Sequence, residues 1–173
     1  MQLSRILLSA LLFAFTLSTA NALQVGDTAP DFELPATDGQ TYRLSELTQD
    51  GVVVLAWFPK AYTQGCTIEC KSLAENGHLI KAYDAKYFMV SVDPLETNSA
   101  FAAEFEADFP LLSDESTTVA QAYEVLGSRG VASRHTFYIG ADRKILAIDE
   151  AVRPETSAED MATMLGMLDV PRN

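Results

Sequence analysis

Val52 to Phe58, VVVLAWF, limits the possible folds more than any other stretch. It is β-branched and aromatic, and apolar on both of the faces that strand alternation would present. Such a strand belongs in the middle of a sheet with both sides covered, which calls for a layered α/β fold. Pro59 ends the run and a polar loop leads to Gly65. From Gly65 to about Ala85 the pattern turns helical, with Ile68, Leu73, Leu79 and Ile80 on one side and Lys71, Glu75 and Lys81 elsewhere. Asn76-Gly77 predicts a kink or break in that helix.

The only two cysteines lie here: Cys66 opens the helix and Cys70 follows one turn later. First-turn amides point toward Cys66 and the helix dipole is positive there. Both favour a thiolate, the reactive form of cysteine. Its small and polar neighbours Thr63, Gln64, Gly65 and Thr67 argue against deep apolar burial, although an inert buried thiol is the common alternative. Thr63 suits a helix cap, or a hydroxyl that bonds a substrate oxygen beside the sulfur.

The rest of the chain supplies a scaffold. Asp31–Leu34 and Thr41–Leu44 flank an Asp38-Gly39 turn and predict a hairpin. Ser45–Leu47 suits one helical turn. Tyr87–Val92 reads as a strand stopped by Asp93-Pro94, and Glu96–Ala107 as a helix with Phe101 and Phe105 at i,i+4. Phe109–Leu112 suits a short strand, Thr118–Tyr123 a short helix and Gly127–Gly130 a loop. Thr136–Ile139 and Ile145–Ile148 predict an antiparallel pair. Ser157–Leu168 predicts a closing helix capped by Ser157, with Asp160 three residues on. The chain shows no internal repeat or low-complexity linker. The economical architecture is a βαβ start feeding a mixed sheet with helices on both faces.

Charge and termini narrow the function. A net charge of −12 over 173 residues argues against nucleic acid and anionic membrane surfaces. Met1–Arg5 is positive, Ile6–Leu17 is nearly all apolar, and Ala20-Asn21-Ala22 offers an A-x-A site. That is the layout of a signal peptide over residues 1–22, short of the about 20 apolar residues that span a bilayer. The expectation is one domain over 23–173, exported across an inner membrane to a periplasm, with no stable membrane association after cleavage. Two cysteines are too few for a disulfide framework.

Pro59-x-x-x-Thr63-x-x-Cys66 resembles the peroxiredoxin pattern. FPKAYTQGCTIE is similar to the peroxiredoxin Q (bacterioferritin comigratory protein) branch. VGDTAPDF from Val25 looks like that branch's opening. FPLLSD from Phe109, followed by Tyr123, looks like its middle signature, and Arg134 with Thr136-Phe137 looks like its arginine-bearing strand. The resemblance runs over residues 24–168. It implies a thioredoxin-like three-layer sandwich, α/β in class, with a central mixed sheet flanked by helices and an N-terminal β-hairpin extension.

It also implies chemistry. Cys66 would be the peroxidatic cysteine, oxidised by a hydroperoxide to sulfenic acid. Thr63 and amides near Cys66 would hold the peroxide oxygens, and Pro59 would stiffen the loop and keep water out. Arg134 would favour the thiolate and stabilise charge on the departing oxygen. Without the motif Arg134 reads as a surface arginine at a strand start; Arg129 and Arg43 are weaker rivals. No metal or organic cofactor is implied. The partners would be hydrogen peroxide or a small alkyl hydroperoxide and a thioredoxin-like or other thiol reductant, with monomer and dimer both open.

The chain departs from the branch at several points. A resolving cysteine, when present there, lies where this chain has Lys71; here Cys70 comes four residues after Cys66. On an intact helix that spacing holds Cβ atoms about 5–6 Å apart, whereas a disulfide wants about 3.5–4.5 Å. Bonding would distort the first turn, and so short a loop would gain only about 2 kcal/mol. That favours a redox role for Cys70 over a stabilising one, with a bystander role still open. Gln64 replaces a usual proline, Glu124 a common glycine and Gly140 a usual aspartate.

Three other readings fit less well. A thioredoxin-type oxidoreductase would want C-x-x-C and a proline where His135 stands. A copper-binding assembly protein resembling the Sco family would use Cys66, Cys70 and His135. Arg134 and His135, adjacent on a strand, would then face opposite sides, and Pro59, Thr63 and Arg134 would have no task. An interaction module without catalysis is the third. His78 reads as ordinary packing or surface.

Overall fold

The computed structural model describes residues 22–173. Of the segment read as a signal peptide, residues 1–21 lie outside the described residues. No helix among the described residues is long and apolar enough to cross a membrane.

A short hairpin comes first: β1 (Glu33–Pro35) pairs antiparallel with β2 (Thr41–Arg43) across the Gly39 turn. The single turn α1 (Leu44–Leu47) and a 3-10 turn lead to β3 (Val52–Trp57). Then follow α2 (Gln64–Asn76), α3 (His78–Lys81), β4 (Ala85–Ser91) and α4 (Leu95–Glu104). The chain continues with β5 (Leu111–Ser113), α5 (Thr118–Ala122), β6 (His135–Ile139), β7 (Ile145–Asp149) and α6 (Ser157–Met167).

The main sheet has the order β5-β4-β3-β6-β7. β3, β4 and β5 run parallel, while β6 and β7 are antiparallel. β3 sits at the centre, as its two-faced apolar sequence demands. Val54, Ala56 and Phe58 pack with Met89, Leu111 and Tyr138 under α2, α4 and α6. Val53, Leu55 and Trp57 pack on the other side with Phe88, Leu112 and Phe137, under the hairpin, α1 and α5. This is the thioredoxin-like sandwich with its hairpin extension.

The break predicted at Asn76-Gly77 falls at Gly77, where an added Cβ would lie 2.3 Å from the Tyr87 hydroxyl and 2.5 Å from the Leu73 carbonyl oxygen. Only glycine fits so close an approach. Three local expectations change. The helical stretch ends short of Ala85, with α3 closing at Lys81. The helix after Asp93 stops at Glu104, and Glu106 then turns into the left-handed region at φ 53°. Ser157 is not a cap: it is the first residue of α6, and its hydroxyl donates to Glu69 Oε1 at 3.4 Å. Thr156 holds the N-cap position, and its hydroxyl donates to Asp160 Oδ2 at 2.8 Å.

Candidate active site

β3 delivers the chain to the site. The Phe58 N–H still bonds the Val90 carbonyl, at 2.9 Å. Pro59, with no N–H to offer a ladder, then releases the chain into a loop. Thr63 (φ −80°, ψ 152°) is the N-cap of α2 by backbone, its carbonyl accepting the Thr67 N–H at 2.9 Å. Its side chain does not cap the helix: the hydroxyl donates to the Lys60 carbonyl at 2.9 Å.

Cys66 stands in the first turn of α2 and is 0% exposed. The polar neighbours that argue for accessibility point elsewhere, and the thiol lies in the apolar cluster beneath α2. The buried residues of α2 are Cys66, Glu69, Cys70, Ser72 and Leu73; of the expected face on this helix Leu73 is buried and Ile68 only partly so. A glutamate among them disguised the buried face in the sequence.

Arg134 makes this burial tolerable. Arg134 Nη2 donates to Cys66 Sγ at 3.2 Å, and its Nη1 pairs with Glu69. The antiparallel register Ala56–Thr136 and Trp57–His135 brings Arg134 alongside the end of β3, so pairing of β3 with β6 closes a separation of 68 residues. Gly65 leaves the space: an added Cβ would be 3.1 Å from Arg134 Nη2.

Glu69, 0% exposed, accepts from both Arg134 and Ser157. Burial pushes its carboxyl up, to about 7, while the adjacent guanidinium pulls the other way. Burial works against the charge of Arg134 in turn, but Glu69 and Cys66 hold its pKa above the ordinary value. Arginine keeps its charge in such surroundings, so the ionised carboxylate is the form that pairs. Glu69 closes the motif FPKAYTQGCTIE, and that position was its only signal in the sequence; Ser157 was marked there only as a helix cap.

Cys70 is also fully buried, and both thiols are free. Burial first, then the negative charges of Glu69 and Cys66, push the Cys70 thiol up to about 12. α2 runs unbroken through both cysteines. Pro59 and Arg134 share an open groove of about 480 Å3 with exposed Arg129 and with His135. The His135 ring lies 6.4 Å from that of Phe137, which packs on the sheet face opposite Cys66. Among the described residues no group of three or more His, Cys, Asp or Glu could hold a metal, so Cys66, Cys70 and His135 do not form a copper site. Arg43 is engaged elsewhere, with Glu33 and Glu46.

The AhpC/TSA family model matches residues 25–148. A putative peroxiredoxin of Mycobacterium tuberculosis is 39% identical over 130 residues, 73% of this chain and 84% of that protein. The chain belongs to the AhpC/TSA family. Within it, peroxiredoxin Bcp of Escherichia coli is 35% identical over 132 residues, covering 72% of this chain and 84% of the relative. The crystal structure of peroxidoxin BcpB from M. tuberculosis superposes with a TM-score of 0.76 at 35% identity, covering 84% of this chain and 97% of that one. Peroxiredoxin Q of Xylella fastidiosa, at 24% identity and a TM-score of 0.73, shares the fold. This peroxiredoxin is thus a Bcp-like thiol peroxidase.

Two departures from the branch now have locations. Gln64 is the first helical residue of α2, where proline is well tolerated. Glu124 sits at φ 56°, in the left-handed region that glycine enters without strain.

Proposed function

We propose that Cys66 is the peroxidatic cysteine of a cofactor-free thiol peroxidase acting on hydrogen peroxide or small alkyl hydroperoxides. The observation that carries this reading is the Arg134 guanidinium 3.2 Å from Cys66 Sγ at a helix N-terminus. The thiolate attacks the terminal peroxide oxygen and the O–O bond breaks. The terminal oxygen passes to Cys66 with its hydrogen, giving a sulfenic acid, and the departing alkoxide or hydroxide takes up the proton released when the thiol ionised, leaving as alcohol or water. Arg134 stabilises the charge that develops on the departing oxygen. The Thr63 hydroxyl, its proton spent on Lys60, has lone pairs free to accept from the hydroperoxide O–H.

The sulfenic acid is resolved by Cys70 or by an external thiol of thioredoxin type. In the first route Cys70 sulfur displaces water and a disulfide forms, which requires the first turns of α2 to open. Opening also lifts the burial that keeps Cys70 protonated. The chain acts after export: residues 1–22 have the pattern of a cleaved leader.

Mass spectrometry after one equivalent of peroxide tests the reaction. Loss of two hydrogens marks a Cys66–Cys70 bond, gain of one oxygen marks a sulfenic acid awaiting an external thiol, and two surviving thiols refute the peroxidase. Export is tested by the mature N-terminus, expected at Leu23 in a periplasmic fraction; an intact Met1 in the cytoplasm overturns it.

A further inference from the structure

The loop from Pro59 to Thr63 has an unfavourable backbone. Tyr62 adopts φ 63°, in the left-handed region, and its side chain is 48% exposed. For an L-residue that conformation costs about 1–2 kcal/mol, so the surroundings must impose it. Pro59 stiffens only one end, and the Tyr62 ring meets Phe101 edge-on at 5.2 Å from outside.

The hold from beneath is Asp93, just beyond β4. Its carboxylate is 8% exposed. Oδ2 accepts the Ala61 N–H at 2.9 Å and the Ser91 hydroxyl at 3.0 Å. The Asp93 N–H bonds back to Ser91 Oγ at 3.2 Å. Behind Ser91, Asn98 Nδ2 donates to Ser91 Oγ at 3.1 Å and to Ser113 Oγ at 2.8 Å. The network ties the ends of β4 and β5 to α4. Among the described residues, Asp93 makes the one side-chain hydrogen bond that reaches this loop's backbone from another element.

We propose that Asp93 is a positioning residue for peroxide reduction. Its buried carboxylate fixes the Pro59–Thr63 loop so that the Thr63 hydroxyl and the start of α2 meet the hydroperoxide together. Asp93 touches no reacting atom and acts through Ala61. An aspartate suits the task, because one oxygen accepts from both the loop amide and the Ser91 hydroxyl, and Ser91 is itself held by Asn98. The inference rests on the peroxidase reading.

The test separates peroxide handling from general thiol reactivity in the full chain. Stopped-flow oxidation of Cys66 by hydrogen peroxide is compared with its alkylation by iodoacetamide. Asp93→Ala should slow oxidation by about 10–100-fold while alkylation stays within about threefold. Asp93→Asn, which keeps an oxygen acceptor, should fall between wild type and Asp93→Ala. It also decides the matter if the alanine variant does not fold. Asp31→Ala is the stability control: Asp31 binds the Ser45 N–H at 2.9 Å beside α1, and its loss should lower stability while leaving oxidation unchanged. Wild-type oxidation in Asp93→Asn overturns the proposal, as does a parallel fall of oxidation and alkylation. A wild-type protein that does not consume peroxide refutes the peroxidase reading instead.

Discussion

Cys66 and Cys70 stand one helical turn apart on α2, equally buried, yet they meet different chemistry. Beside Cys66 the chain places a guanidinium brought from the start of β6. Beside Cys70 it places apolar side chains and the negative field of Glu69, which push that thiol up to about 12. Burial is the first cause of the rise at Cys70, and the neighbouring negative charges add to it. What distinguishes Cys66 is a guanidinium in contact, and that contact is set by strand register rather than by neighbours in sequence.

The strongest way to break this contrast is to remove each sulfur in turn. Cys66→Ser should lower peroxide consumption by about 10^3-fold or more, since a hydroxyl is a far weaker nucleophile. Cys70→Ser should leave the first oxidation at the wild-type rate and change only the oxidised product. Equal losses in the two variants would erase the distinction.

Removing the charge comes next. Arg134→Met should slow oxidation by about 10^2-fold, the scale of losing one charge-stabilising donor. It also leaves buried Glu69 without its charged partner; that carboxyl, already pushed up to about 7, then takes up a proton, and breaking the pair costs at most about 3–5 kcal/mol. Glu69→Gln combined with Arg134→Met should recover much of the stability but none of the rate. Denaturant unfolding beside stopped-flow kinetics reads both. A double variant no more stable than Arg134→Met would mean that the pair does not account for the loss.

The Cys70 thiol carries a pH signature. Its folded pKa lies above its unfolded value, so the folded chain holds the proton longer. That contribution is complete below the unfolded pKa of about 8.5 and is lost as pH rises toward about 12, at up to ~1.4 kcal/mol per unit. Urea unfolding between about pH 8 and pH 10 should show a steeper decline in wild type than in Cys70→Ala. Matching slopes would place Cys70 in a more polar setting than the fold gives it.

The smallest effects come from the loops around the site. Glu124→Gly should stabilise by about 1 kcal/mol through relief of a left-handed backbone. Gln64→Pro at the first position of α2 should add about 0.4–1 kcal/mol, with oxidation unchanged, if its backbone already matches proline. Thermal melts read both; a loss of stability in Gln64→Pro would show that the start of α2 is not preorganised for proline.

Much of the fold was legible because its signals are local. The two-faced apolar run of β3, the Asp38-Gly39 turn and the Asn76-Gly77 break each state their own geometry. The motif from Pro59 to Cys66 was legible for the same reason, and its resemblance to peroxiredoxins brought in Arg134. Glu69 beside Arg134 and Asp93 beneath the Pro59–Thr63 loop were not legible as buried contacts. A carboxylate in a sequence reads as solvent-facing unless its partner is known, and their partners lie 65 and 32 residues away. Cys66 looked accessible for the converse reason, since polar neighbours along the chain do not say what packs across it.

The sequence by itself determined the central strand, the loop and the helix start that present a cysteine to an electropositive helix end. Hydrophobic alternation, proline and glycine act over a few residues and need no tertiary partner to be read. Tertiary structure alone decided which ionisable groups are buried together and against what. Desolvation and Coulomb energy depend on distances in space, and here those distances are set by the pairing of β3 with β6 and by the packing of α6 on α2.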